Sequence, residues 1–343
     1  MKQDKVLGNW CLILAAMVFG MVVGGGHVRT IGASFSIQVW RPVTGFIPPL
    51  NAGDWSAQFA LFQKTALFQS HPITLAQYKT LFWPMFFDRC WGRLMALVFL
   101  VPCAWFLVTG RLRGRAALWM LFIFGLGVVQ AVYGWYMVQQ GLQPGILLPP
   151  PAWAAPHLGT AMLIFAALLW TGLTLRTPAP APVQNAARLK TALTASAILI
   201  WGTMVLGALV ATSNAIAVYN SFPTMDGHWL PPAMFSLHPL WQNFVANKGT
   251  VQFCHRLAAT ITALTVLATA VTGLRIQKLP PALRDLFLAF AGLTALQYLL
   301  GMTTLILGST GLGYIHELTA VLLFAVTLTA RHQLRGATKG VLP

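Results

Sequence analysis

Cys254-His-Arg-Leu-Ala-Ala-Thr-Ile-Thr-Ala-Leu-Thr-Val-Leu-Ala-Thr-Ala-Val-Thr-Gly-Leu274 is the stretch that decides the fold. His255 and Arg256 lie at its start and Arg275 and Lys278 lie just beyond its end, with no ionisable side chain between. About 20 mostly apolar residues make a helix long enough to cross a bilayer. The many Ala, Thr and Gly residues suit close helix packing inside one. Seven more stretches read the same way, at 8–26, 91–110, 116–138, 156–175, 192–212, 286–307 and 314–330. The fold expected is an all-α integral membrane protein with eight transmembrane helices.

Composition agrees. The chain has 343 residues, of which 57% are hydrophobic and 8% charged, against about 25% charged in a soluble domain. An ordinary soluble enzyme, a disordered chain and a disulfide-rich secreted domain are excluded. The net charge of +16 would suit a nucleic-acid binder if the basic residues shared one soluble face. They are scattered between apolar runs, so no nucleic-acid partner is expected. Lys2 and Lys5 ahead of the first stretch resemble the start of a signal peptide. That stretch is long, however, and Gly24-Gly-Gly26 followed by His27 and Arg29 is a poor cleavage site, so it reads as a retained helix.

The basic residues orient the spans. With the N-terminus inside, one side carries Lys2, Lys5, Arg111, Arg113, Arg115, Arg176, Arg188, Lys190, Arg275, Lys278, Arg284, Arg331, Arg335 and Lys339 in short segments. The other side carries Arg29, Arg41, Lys64, Lys79, Arg89, Arg93, Lys248 and Arg256 in long ones. The dense side is cytoplasmic, which puts both termini in the cytoplasm. Loops 27–90 and 213–253 then lie outside, with Trp40, Trp55, Trp83, Trp229 and Trp241 at the lipid interface. The segment Thr177-Pro-Ala-Pro-Ala-Pro182 is a stiff linker. The expected organisation is a four-helix half at 1–176, a linker at 177–190 and a second half at 191–343.

The halves resemble each other. Asp88-Arg89 matches His255-Arg256, and His157-Leu-Gly-Thr-Ala161 matches His316-Glu-Leu-Thr-Ala320. Gln130-Ala-Val-Tyr-Gly134 matches Gln297-Tyr-Leu-Leu-Gly301, and Gly45-Phe-Ile-Pro-Pro49 matches Gly227-His-Trp-Leu-Pro-Pro232 with one residue inserted. Four matches in the same order indicate an internal repeat. Four spans per half preserve orientation, so the two bundles are expected to be parallel repeats.

Ionisable groups at membrane depth are costly and mark function by default. His157, His255 and His316 each fall at the outer end of an even-numbered span. Imidazoles on spans six and eight at one depth can clamp a haem iron from both faces, a ligation suited to electron transfer. Arg256 could then pair with the propionates. The plainer reading is a hydrogen-bonded packing histidine, which serves for any one of them but less well for three at repeat-equivalent positions. His71, His228, His238 and His332 read as solvated loop or tail residues, and His27 ends the first span. Cys11, Cys90, Cys103 and Cys254 form no zinc or iron–sulfur motif, and a Cys90–Cys254 bridge has little support. Walker A, Rossmann and Ser/His/Asp motifs are absent from the sequence.

The segments Trp40-Arg-Pro-Val-Thr-Gly-Phe-Ile-Pro-Pro49, Gly134-Trp-Tyr-Met-Val138, His157-Leu-Gly, Asn220-Ser-Phe-Pro-Thr-Met-Asp-Gly227, Gln252-Phe-Cys-His-Arg256 and His316-Glu resemble those of the haem A synthases over nearly the whole chain. The resemblance implies oxidation of the C8 methyl of haem O to the formyl of haem A, for use by haem-copper oxidases. It implies a haem b held by His255 and His316 in the second half. The first half would be the substrate-haem site, with His157 on the iron and Arg89 and Arg256 as nearby cations. The implied partners are membrane lipid, a haem O synthase, a haem-copper oxidase, an electron donor left open, and a further copy of the chain. The implied place is a bacterial-type inner membrane.

One motif departs. The family pattern Glu-x-x-His-Arg reads Met85-Phe-Phe-Asp88-Arg89 here, and Trp91-Gly92-Arg93 continues the match downstream. Met85 cannot carry a proton, and Asp88 offers iron a hard oxygen in place of imidazole. Asp88 and Arg89 are therefore the catalytic candidates. The alternative is a non-catalytic haem-binding or haem-handling protein with a degenerate first site. A transporter with parallel repeats would need charges in mid-span, and Asp285 and Glu317 fall near span ends.

Overall fold

The computed structural model describes residues 4–177, 183 and 186–336. Half of the expected linker lies outside the described residues. Ten α-helices are seen: α1 (Lys5–Thr30), α2 (Ala52–Phe62), α3 (Ala66–Ser70), α4 (Leu75–Val108), α5 (Gly114–Gln140), α6 (Pro151–Arg176), α7 (Ala187–Thr212), α8 (Lys248–Leu274), α9 (Pro281–Leu307) and α10 (Thr310–Gln333). The described residues form no β-strand, only an isolated bridge between Met225 and His228. Eight helices, α1 and α4 to α10, are long and apolar enough to cross a membrane, as the sequence predicts.

The second span differs from expectation. It starts at Leu75, and Asp88 and Arg89 lie well inside α4 instead of at its mouth. Thr74 starts the helix through a capping box: its hydroxyl accepts from Gln77 N–H while the Gln77 side chain accepts from Thr74 N–H. Tyr78, Phe82, Met85 and Phe86 then recur at helical spacing. That stripe packs on Val28, Ala33, Ile37 and Phe62 in one buried cluster. Lys79, Pro84, Asp88 and Arg89 interrupt the hydropathy of this turn-rich segment and hide a helix that tertiary packing holds.

The chain forms two compact units, one of residues up to Ala15 and from Phe165 onward, the other of Ala16–Ile164. In the first unit α7 packs on α8, α8 on α9, α9 on α10 and α10 on α7, which closes a four-helix bundle. In the second unit the Trp91 indole donates to Met17 O at 2.9 Å, joining α4 to α1. Phe99 and Phe124 stack between α4 and α5 at 5.8 Å, and Tyr136 meets Trp153 between α5 and α6 at 4.5 Å.

His332 corrects a reading. It is fully buried rather than solvated. Its ring lies 3.1 Å from the Thr174 hydroxyl, edge-on to Trp170 and beside Arg335, whose guanidinium donates to Thr177 O at 2.9 Å. α10 runs farther than the apolar run suggests, and its polar last turn is covered by α6. His71, His228 and His238 are exposed, as expected.

Candidate functional site

His255 of α8 and His316 of α10 come together, with ring centres 6.5 Å apart and planes at 87°. Two metal–imidazole bonds of about 2 Å each, plus an imidazole radius at either end, place ring centres roughly 6 Å apart across one metal ion. The observed separation suits a single iron between the rings. Nδ1 of each ring is buried with no hydrogen-bond partner, and such an atom costs about 1–3 kcal/mol when left unpaired. The pair therefore fits a bis-imidazole haem.

Each histidine rests against a glycine of the preceding span. A Cβ at Gly207 of α7 would lie 3.2 Å from His255 Cε1, and one at Gly301 of α9 would lie 2.9 Å from His316 Cε1. Gln297 fixes the backbone beneath His316 by donating to its carbonyl at 3.0 Å.

The other unit repeats this construction. Gln130 donates to the His157 carbonyl at 2.7 Å, and a Cβ at Gly134 would lie 3.7 Å from His157 Cε1. His157 Nδ1 is likewise buried without a partner. On α4 the ligand-type position is Asp88, and a Cβ at Gly24 of α1 would lie 2.5 Å from its Oδ1. That oxygen is also buried and unpartnered. Asp88 borders a cleft of about 480 Å³ that is lined in addition by Gly20, Gly24, His27, Trp83, Phe87 and Trp91.

The two arginines do something the sequence did not suggest. Arg89 donates to Val39 O at 2.8 Å and Ile37 O at 2.6 Å. Arg256 donates to Ser221 O at 2.9 Å, Thr224 O at 3.2 Å, Tyr219 O and the Gln252 side chain. Each fastens a long loop to a span, and of the Arg256 guanidinium only Nε is buried without a partner. The position four before each arginine differs between units. Gln252 donates to Ala215 O and Val218 O, while Met85 is buried among aromatic side chains. All four cysteines carry free thiols.

The glycines were missed in the sequence. Gly134 and Gly301 were visible as the ends of matching segments. Gly24 stood in a run weighed only as a cleavage site, and Gly207 had no signal of its own.

Comparison with known proteins joins this geometry to a family. Residues 8–328 match the family model of COX15-CtaA, the cytochrome oxidase assembly proteins. Haem A synthase 1 of Acidiphilium cryptum is 55% identical over 342 residues, covering 99% of this chain and 95% of that protein. The chain belongs to the haem A synthase family. Haem A synthase 2 of the same organism is 38% identical, covering 98% of this chain and 93% of its own. The haem A synthase of Methylorubrum populi is 42% identical, covering 87% and 78%. The match to the haem A synthase family runs through all eight membrane-crossing helices.

Proposed function

We propose that the chain is a membrane-bound haem A synthase that oxidises the C8 methyl of haem O to a formyl and so supplies haem-copper oxidases. The observation that carries this is 55% identity over nearly the full length of a haem A synthase. The paired imidazoles support it. A non-catalytic haem-handling role has no observation that favours it.

His255 and His316 would hold a haem b, which would supply electron relay. Gly207 and Gly301 give the two rings room, and Gln297 fixes the backbone of His316. His157 would bind the substrate haem, with Gln130 and Gly134 setting its position. Arg89 and Arg256 keep the loops closed over their spans, and Arg256 Nε remains for an anionic group such as a propionate. Met85 and its aromatic neighbours exclude water and offer no proton, which leaves Asp88 as the acid or base on this part of α4.

The orientation with both termini cytoplasmic belongs to this proposal. So do the substrate half at 1–176, the linker at 177–190, the haem b half at 191–343, and the bacterial inner membrane. A haem O synthase, the oxidase and a further copy of the chain are the protein partners proposed.

Co-expression with a source of haem O, followed by chromatography of extracted haems, tests the activity. Haem A in the extract is expected. Its absence from a preparation that still carries haem b refutes the catalytic claim.

A further inference from the structure

The end of α10 away from the histidine pair holds a cation that the proposed reaction does not use. Arg331 lies roughly 22 Å beyond His316 along the helix, at 1.5 Å per residue, and is half-buried. It is held at two points. Its Nε donates to the Thr194 hydroxyl of α7 at 2.7 Å, and its guanidinium lies over the Trp170 ring of α6 at 5.6 Å. Nη1 and Nη2 remain, and they meet no acceptor among the described residues. An arginine that only reached for water would need neither hold. Arg335, the next cation on the helix, is turned inward instead and donates to the His332 ring at 2.8 Å and to Thr177 O at 2.9 Å. No carboxylate comes from these helices: segments 165–177, 186–200 and 322–336 contain no Asp or Glu. Asp4, whose amide donates to Leu175 O, accepts with Oδ1 from the Val6 and Leu7 amides.

We propose that Arg331, set between α6 and α7, binds the phosphate of an anionic phospholipid. All the residues involved belong to the compact unit that runs from Phe165 onward, and the proposal is independent of either haem site. A planar guanidinium with two adjacent free N–H groups matches two oxygens of a phosphate. Trp170 beneath it is a residue type of the membrane–water interface, the depth at which lipid phosphates lie. From Thr194 toward the bilayer centre the face of α7 is uncovered, with Ala195 and Ile198 exposed, which gives an acyl chain a wall to lie on. A free phosphate ion has no use for that wall. Lys190 stands one turn before Thr194 on the same face of α7, and its carbonyl accepts from the Thr194 hydroxyl at 3.0 Å. A second cation there disfavours a headgroup that carries its own ammonium, such as choline. The site therefore selects a headgroup of net negative charge.

The test is titration of the full-length, delipidated protein in detergent with short-chain phosphatidylglycerol, with phosphatidylcholine of the same chains, and with inorganic phosphate. Native mass spectrometry counts what is bound. The parent is expected to bind phosphatidylglycerol more tightly than phosphatidylcholine. Arg331→Gln should weaken phosphatidylglycerol binding about fivefold or more. Thr194→Val keeps the charge but frees Nε, and should lose part of the affinity. Arg275→Gln removes an exposed cation from the end of α8, which lies at the same end of the bundle, and should bind as the parent does.

Equal losses in Arg331→Gln and Arg275→Gln overturn the site, because they report only the overall charge of that end. Equal affinity of the parent for the two lipids does so as well. Displacement of the lipid by inorganic phosphate at a comparable concentration assigns the guanidinium to a free ion and refutes the lipid. Should Arg331→Gln fail to fold, as circular dichroism would show, Arg331→Lys decides. It keeps the charge without the two-pronged geometry, so binding as tight as the parent's refutes the proposal and weaker binding supports it. Formation of haem A is read separately and bears only on the reaction proposed above.

Discussion

Gly301→Ala tests whether the glycine notch positions the haem b ligand. An added Cβ would lie 2.9 Å from His316 Cε1, and ordinary contact begins near 3.4 Å. The ring must then retreat by the difference, about 0.5 Å, which is the tolerance within which a binding constellation has to be held. Overpacking costs about 1–3 kcal/mol, while alanine for glycine in a helix returns about 0.8–1.0 kcal/mol. The net loss reaches about 2 kcal/mol, or roughly 30-fold in haem b affinity. Gly207→Ala, with its Cβ at 3.2 Å from His255 Cε1, should lose less. Gly292→Ala on the same helix as Gly301 meets nothing within 4 Å and should bind haem b as the parent does. The assay is loss of the Soret band on titration with a haem-scavenging apoprotein. Equal haem retention in the Gly292 and Gly301 variants would refute the reasoning.

His255→Ala and His316→Ala should each abolish the low-spin haem b spectrum, and a bis-histidine spectrum surviving in either removes the pair from the site. Met85→Glu should lower folded yield, because it buries a carboxylate among Val28, Phe62, Phe82 and Phe86 at a cost of several kcal/mol if charged; thermal unfolding equal to the parent counts against this. Arg256→Lys should expose the 213–247 loop to limited proteolysis, since an ammonium cannot span the carbonyls of Tyr219, Ser221 and Thr224 at once. A cleavage pattern like the parent's speaks against the loop role. His332→Ala should destabilise the protein by about 1–3 kcal/mol by removing a fully buried ring packed on Trp170, seen as a lower detergent unfolding midpoint with the haem b spectrum intact.

The spans were legible because hydrocarbon thickness imposes a length that hydropathy can read. His157, His255 and His316 were legible because ionisable groups at that depth are few. The start of α4 was not, since Tyr78, Phe82 and Met85 are held by residues from distant loop and helix segments, and a local window sees only the interrupting Lys79 and Pro84. Arg89 and Arg256 could be seen to matter, but their bonds run to backbone carbonyls, which carry no sequence signature. His332 was misread because burial of a helix end depends on which neighbour extends alongside it. Gly24 and Gly207 were invisible for the same reason: a glycine that makes room for a partner is identified only once the partner is known.

The arginine fastenings bear on traffic. A guanidinium that holds several carbonyls in a medium of low dielectric is a clamp and not a hinge, each charged bond contributing about 1.5–3 kcal/mol. Loops fixed in this way make a poor doorway. The cleft between α1 and α4 has Phe87 largely uncovered on its rim, and, if this half takes up a haem as proposed, it would offer a greasy, flat cargo a sideways route that unfastens neither loop. Loading rates should accordingly respond to bulk at position 87 and be indifferent to a cross-link that locks the loops.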